Sequence, residues 1–101
     1  MTPDLRPCRA HGTLATDRAP AMLYKLCKHF AKKIPVEFDD THGHARFPQG
    51  DCVLHASDSQ LAFECACDDA EQLAALRQII DLHAALLTRK APQAIHWLIH
   101  Q

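Results

Sequence analysis

The chain has 101 residues, 48% of them hydrophobic and 23% charged. That length suits one domain, residues 1–101, with a single core that needs neither disulfides nor a metal to hold it. Eleven Lys and Arg stand against twelve Asp and Glu, a formal net charge of -1. The near-balance excludes an acidic disordered chain and argues against a nucleic-acid binder, which usually carries a basic excess. Eight histidines give the chain a reserve of charge that fills as pH falls.

Residues 1 to 9 carry three charges and two prolines, without an apolar stretch of signal-peptide length. No run approaches the roughly 18 apolar residues of a membrane span. The expectation is therefore a cytoplasmic protein with neither membrane nor nucleic acid as partner. The five cysteines, Cys8, Cys27, Cys52, Cys65 and Cys67, are odd in number and form no CxxC pair. Reduced thiols are expected in a cytosol.

In chain order, Cys8 to Ala15 alternates as a strand does. Asp17 is placed to cap a helix, and Pro20 suits its first turn. Met22, Leu23, Leu26, Cys27, Phe30 and Ile34 then share one helical face. Lys25, Lys28, His29 and Lys32 share another, which reads as a solvated basic face. Pro35 stops this helix at or before Ile34. Four short alternating runs follow, 36–39, 44–47, 51–56 and 61–67. The turns between them fall at 40–43, 48–50 and 57–60, which makes an antiparallel meander. Val36, Phe38, Ala45, Phe47, Cys52, Leu54, Ala56, Leu61, Phe63, Cys65 and Cys67 collect on one face. Glu37, Asp39, His44, Arg46, Val53, His55, Ala62, Glu64 and Ala66 collect on the other. That is the pattern of a sheet covered on one side. Asp68 and Glu71 resemble a capping box. The helix they open runs through Leu73, Leu76, Ile79, Ile80, His83, Leu86 and Leu87, towards Arg89, Lys90 and a stop at Pro92. Residues 94–99 alternate as a last strand.

The order β-α-β-β-β-β-α-β predicts an α+β two-layer domain, an antiparallel sheet with two helices on one face. The order is similar to the β-α-β4-α arrangement of TBP-like folds, an analogy that carries no function.

Two side-chain sets are candidate sites. If the meander pairs symmetrically about its turns, Asp39, His44 and His55 form one cross-strand row on the open face. Two imidazoles and a carboxylate resemble the ligand set of a mononuclear iron or zinc centre. A register shift would scatter that row. Cys27, Cys52 and His83 all point to the core side and could meet between the layers. The plainer account is two buried thiols and a histidine satisfied by a backbone carbonyl. Cys65 and Cys67 lie on the apolar face and read as small hydrophobes. No G-x-S-x-G, H-E-x-x-H, P-loop or dinucleotide fingerprint occurs.

The stretch Leu26-Cys-Lys-His-Phe-Ala-Lys-Lys-Ile-Pro-Val-Glu-Phe38 resembles a motif of the bacterial family DUF2218, L-C-[KR]-H-[FW]-x-H-K-x-P-V-x-[FY]. A second motif, F-x-x-G-x-C-x-L-x-A, is similar to Phe47-Pro-Gln-Gly-Asp-Cys-Val-Leu-His-Ala56. The family's later His and Trp match His83 and Trp97. The resemblance spans roughly Leu14 to Trp97. The chain departs from it at Lys32, where His is frequent, at Arg89, where an aromatic is usual, and at Ala91-Pro92, which replace an acidic pair. The resemblance implies a bacterial domain of unknown function with an association to iron or siderophore metabolism.

Three functional classes follow. One is a small ligand-binding or accessory domain that holds a small molecule or metal ion on its open face. Another is a metal-dependent enzyme using the His and Asp groups of that face. The third is a structural protein that forms a homodimer through the sheet. Which cofactor it uses, if any, and whether it is an enzyme are left open by the residues alone.

Overall fold

The structure, a computed structural model, describes residues 6–87 and 95–100. Eight elements follow one another: β1 (Cys8–Ala15), α1 (Ala19–Phe30), β2 (Val36–Phe38), β3 (His42–Phe47), β4 (Gly50–Ala56), β5 (Gln60–Cys67), α2 (Ala70–Leu87) and β6 (His96–His100). The expected order β-α-β-β-β-β-α-β is the observed one. The strands form one six-stranded antiparallel sheet in the order β2-β3-β4-β5-β1-β6. The meander supplies four consecutive neighbours, and β1 enters between β5 and β6. Both helices pack on the same face. The fold is α+β, as predicted.

Helix caps shift from the sequence expectation. α1 ends at Phe30, within the expected stop at or before Ile34, because residues 31–34 close as tight turns. The N–H groups of Lys33 and Ile34 both donate to the Phe30 carbonyl at 3.0 Å. Arg18, not Asp17, occupies its N-cap position, and no side chain caps it. The cap of α2 is Asp69 rather than Asp68: its Oδ1 accepts the Gln72 N–H at 2.8 Å. Asp68 instead lies 3.6 Å from Arg6 Nε. The expected end of α2 at Arg89, Lys90 and Pro92, and the expected start of the last strand at Ala94, lie outside the described residues.

The core forms where the apolar stripes of the two helices meet the inner sheet face. Met22, Leu23, Leu26 and Phe30 from α1 join Leu73, Leu76 and Ile80 from α2 over Leu14, Leu54, Leu61 and Phe63. No polar or charged residue among the described ones is fully buried. Gly43 lets α1 approach the sheet: a Cβ there would lie 2.7 Å from Cys27 Sγ. Gly12 does the same for Trp97, whose ring would meet such a Cβ at 2.8 Å. Trp97 is held in place by its Nε1–H, which donates to Asp81 Oδ1 at 2.9 Å.

Candidate functional site

No described helix lies over the outer sheet face. Its side chains fall into cross-strand rows set by the ladder register. One row runs Asp39, His42, His55, Ala62, Thr13, His96. The next runs Glu37, His44, Val53, Glu64, His11, Leu98. A third holds Arg46, Asp51, Ala66 and Arg9. Five of the eight histidines, His11, His42, His44, His55 and His96, thus stand on this face.

The expected row of Asp39, His44 and His55 does not form. Asp39 and His55 do share a row, but His42 stands between them and His44 belongs to the next one. The cause is two short turns: Pro48 and Gln49 alone join β3 to β4, where Phe47 pairs with Gly50, and the β2–β3 turn is equally short. Asp39 Oδ1 accepts the N–H of Thr41 at 2.9 Å and of His42 at 2.8 Å. The Asp39 N–H donates to the His42 carbonyl at 2.8 Å. These bonds leave only Asp40 and Thr41 in the loop, so His42 and Gly43 join β3. A four-residue turn would have left them out. Relative to the symmetric expectation, β3 slips by two residues against both neighbours. A slip of two keeps every side chain on its face and changes only its row.

His42 and His55 stack directly, with ring centroids 4.4 Å apart and planes 21° apart. His42 Nδ1 is 2.8 Å from the Thr41 hydroxyl and 4.0 Å from Asp39 Oδ1. Hydrogen bonds from the Thr41 and His42 backbone hold the Asp39 carboxyl below its ordinary pKa. Asp39 is therefore an anion over most of the pH range. One row away, His11 Nδ1 donates to Glu64 Oε1 at 2.5 Å. That bond leaves the His11 Nε2 lone pair available in the neutral ring. His44 Nε2 is enclosed without a hydrogen-bond partner among the described residues, 3.5 Å from Asp51 Oδ2. Arg46 donates to Glu37 Oε1 at 3.1 Å.

Of the second candidate set, Cys27 and Cys52 stay near enough to act on each other, and His83 parts from them. Cys27 and Cys52 are buried beneath the helices. His83 turns elsewhere: its Nδ1–H donates to the Ile79 carbonyl at 2.7 Å, and its ring lies against His29 and Phe30 at 4.7 and 5.3 Å. The backbone carbonyl of the previous helical turn satisfies it. Burial pushes the Cys27 thiol up to about 11. Cys52 stands directly opposite Cys65. A hydrogen bond with Cys65 raises its pKa first, and burial adds to the rise. Thiols held protonated in this way are poor metal ligands and poor nucleophiles. Among the described residues, no three His, Cys, Asp or Glu side chains are gathered to hold a metal ion.

Two features were not legible in the sequence. His42 falls in the turn that the pattern predicts over 40–43, and the Asp39-Asp40-Thr41 segment carries no glycine or proline to announce a two-residue loop. The approach of His29 to His83 depends on how α1 crosses α2, which neither helix encodes alone. Desolvation lowers the His29 pKa, and the charges of His83, Lys32 and Lys33 lower it further.

A helical cover on one face and an open, histidine-bearing face on the other define a small two-layer α+β domain. Within that class, a family model described as "Uncharacterized protein conserved in bacteria (DUF2218)" matches residues 11–98, and the chain belongs to this family. It is similar to the protein in the NMR structure of PA4090 from Pseudomonas aeruginosa. The two are 26% identical with a TM-score of 0.72, over 89% of this chain and 94% of that one. No curated protein matches the chain. No described helix is long and apolar enough to cross a membrane.

Proposed function

We propose that the protein is a small ligand-binding or accessory domain that takes its ligand on the open sheet face. The observation that carries this reading is the stacked pair His42 and His55 with Asp39 in the same row, on a face no described helix covers. A stack of two exposed imidazoles offers two nitrogen lone pairs side by side. The neighbouring carboxylate lowers the cost of holding a dication. Zinc, copper, nickel and ferrous iron all suit imidazole. The finer form of the reading is a ligand drawn from iron or siderophore metabolism.

The test is a zinc and a ferrous iron titration followed by amide NMR on the wild type, His42→Ala, His55→Ala and His44→Ala. Shifts centred on residues 39–43, 55 and 62 are expected. Binding should weaken at least tenfold in the His42 and His55 variants and stay unchanged in His44→Ala. Affinity should fall as pH drops, because a protonated imidazole cannot ligate. Binding no tighter than millimolar, or equal binding by both stack variants, would overturn the reading.

A further inference from the structure

Two further histidines, His29 and His83, meet on the opposite layer. His29 lies in the last turn of α1 and is exposed; His83 lies on α2 and is half-buried. Their ring centroids are 4.7 Å apart with planes inclined by 54°. The Phe30 ring packs edge-on against His83 at 5.3 Å and backs it from the core side. The bond from His83 Nδ1–H to the Ile79 carbonyl fixes the tautomer of the neutral ring and leaves the lone pair on Nε2. A carbonyl on one ring nitrogen, orienting the other, is the usual support of a ligating histidine.

The separation fits two cis ligands. Imidazole nitrogens bound to one metal at about 2.0–2.1 Å lie roughly 3 Å apart, and each lies roughly 1 Å from its ring centroid. Rings 4.7 Å apart therefore reach that spacing by small side-chain rotations. Lys32 and Lys33 follow in the turn that closes α1, and their charges act on His29. Among the described residues, no carboxylate acts on it. Two ammonium groups repel a bare dication and attract an anion. A free anion, in turn, finds no N–H on His83 Nε2. One ligand chemistry answers both conditions: a divalent metal already wrapped by an anionic chelator, with two coordination positions still open.

We infer that His29 and His83 form an inter-helix site for a divalent transition metal carried in an anionic chelate, with Lys32 and Lys33 meeting the negative charge of the chelator. The metal would take one nitrogen from each helix and tie α1 to α2. This site is separate from the open sheet face and stands whether or not that face binds a ligand.

The experiment uses the full chain carrying His42→Ala and His55→Ala, which removes the exposed stack. The probe is copper(II) nitrilotriacetate, an anionic complex with open positions, followed by paramagnetic resonance and by the melting temperature. Coupling to two imidazole nitrogens and a rise in melting temperature with probe concentration are expected. Adding His29→Ala at its exposed position should weaken binding at least tenfold and abolish the two-nitrogen signature. His83→Ala should do the same if its amide spectrum shows it folded. Lys32→Ala with Lys33→Ala should weaken the chelate several-fold and leave aqueous copper(II) bound as well or better. Undiminished binding in His29→Ala would overturn the site. An unchanged chelate affinity in the lysine variant would overturn the anionic ligand.

Discussion

Gly43 on β3 lies directly beneath Cys27 on α1, and replacing it with alanine tests how closely helix and sheet approach. Its backbone has no positive φ, so alanine is not excluded by conformation. The added Cβ would lie 2.7 Å from Cys27 Sγ, against 3.4 Å from Phe38 Cβ and 3.7 Å from Leu54 Cδ1. Heavy atoms of this kind rest at roughly 3.5–4.0 Å. The overlap is thus close to a full ångström and comes from one sulfur. Overpacking of that sort costs about 1–3 kcal/mol. The loss of glycine's freedom in the unfolded chain returns about 0.4–1 kcal/mol. Gly43→Ala alone should therefore destabilise the protein. Cys27→Ala alone should also destabilise it, by about 1–2 kcal/mol, through lost burial and a small cavity. In the double variant the sulfur is gone and the new methyl enters part of its space. Gly43→Ala should then be neutral or stabilising, a coupling of about 1 kcal/mol or more in the favourable direction. Urea unfolding of the four proteins measures it by linear extrapolation. Additive effects, within about 0.5 kcal/mol, would refute the contact.

Leu76→Ala, at a fully buried position of α2, should cost about 2–5 kcal/mol in the same assay; a loss under about half a kcal/mol would remove Leu76 from the core. All five cysteines are free, and only Cys8 is less than fully covered. A thiol reagent should therefore count close to one in the native protein and five under denaturant without reductant, and a denatured count of three would mean a disulfide. Burial raises Cys27 and Cys67 from 9.0 to about 11 in the fold. The unfolded chain therefore releases these protons first, so the stability they favour is complete below pH 9 and should drain away between pH 9 and 11. Asp39→Ala removes the acceptor that shortens the β2–β3 loop, so amide exchange at Thr41 and His42 should accelerate while Leu54 and Phe63 stay protected. For the same reason the loop should loosen in acid: the lowered pKa of Asp39 means its support is present above 3.8 and lost as pH falls through the folded value.

Element order and the inner face were legible because both depend on periodicity alone. The alternation that placed Cys52, Leu54, Phe63 and Cys65 on one side survives any even shift in pairing. The helical stripe through Leu73, Leu76 and Ile80 needs no partner to be seen. The pairing of β4 with β5 was legible too. Ser57 and Gln60 close that hairpin, with the Ser57 N–H donating to the Gln60 carbonyl at 2.9 Å, and Val53 faces Glu64 as a symmetric reading places it. The β2–β3 turn was not legible, because a single aspartate side chain decides its length. The position of β1 between β5 and β6 was equally hidden: strand order depends on where helices deliver the chain, and local pattern does not record it.

The same ladder explains which side chains on a row touch. In an antiparallel pair, residues that exchange backbone hydrogen bonds alternate with residues that do not, and the second kind bring their side chains closer. The Ala56 N–H donates to the Thr41 carbonyl at 2.7 Å, which makes the next pair along, His42 and His55, one of the close kind. The Thr16 N–H donates to the Ser59 carbonyl at 3.1 Å, and counting from there His11 and Glu64 are also a close pair. Those are the two places on the open face where rings stack or an imidazole is gripped by a carboxylate. His44 and Val53 are a close pair as well, but valine offers imidazole no donor or acceptor. The enclosed Nε2 of His44 has Asp51 Oδ2 near it instead, at 3.5 Å. The chemistry of this face is thus decided by the parity of the ladder and by two short turns, the one Asp39 closes and the one at Pro48 and Gln49. The turn of Pro48 and Gln49 sets which β3 residue faces His55, and the β2–β3 loop sets only which β2 residue joins that row.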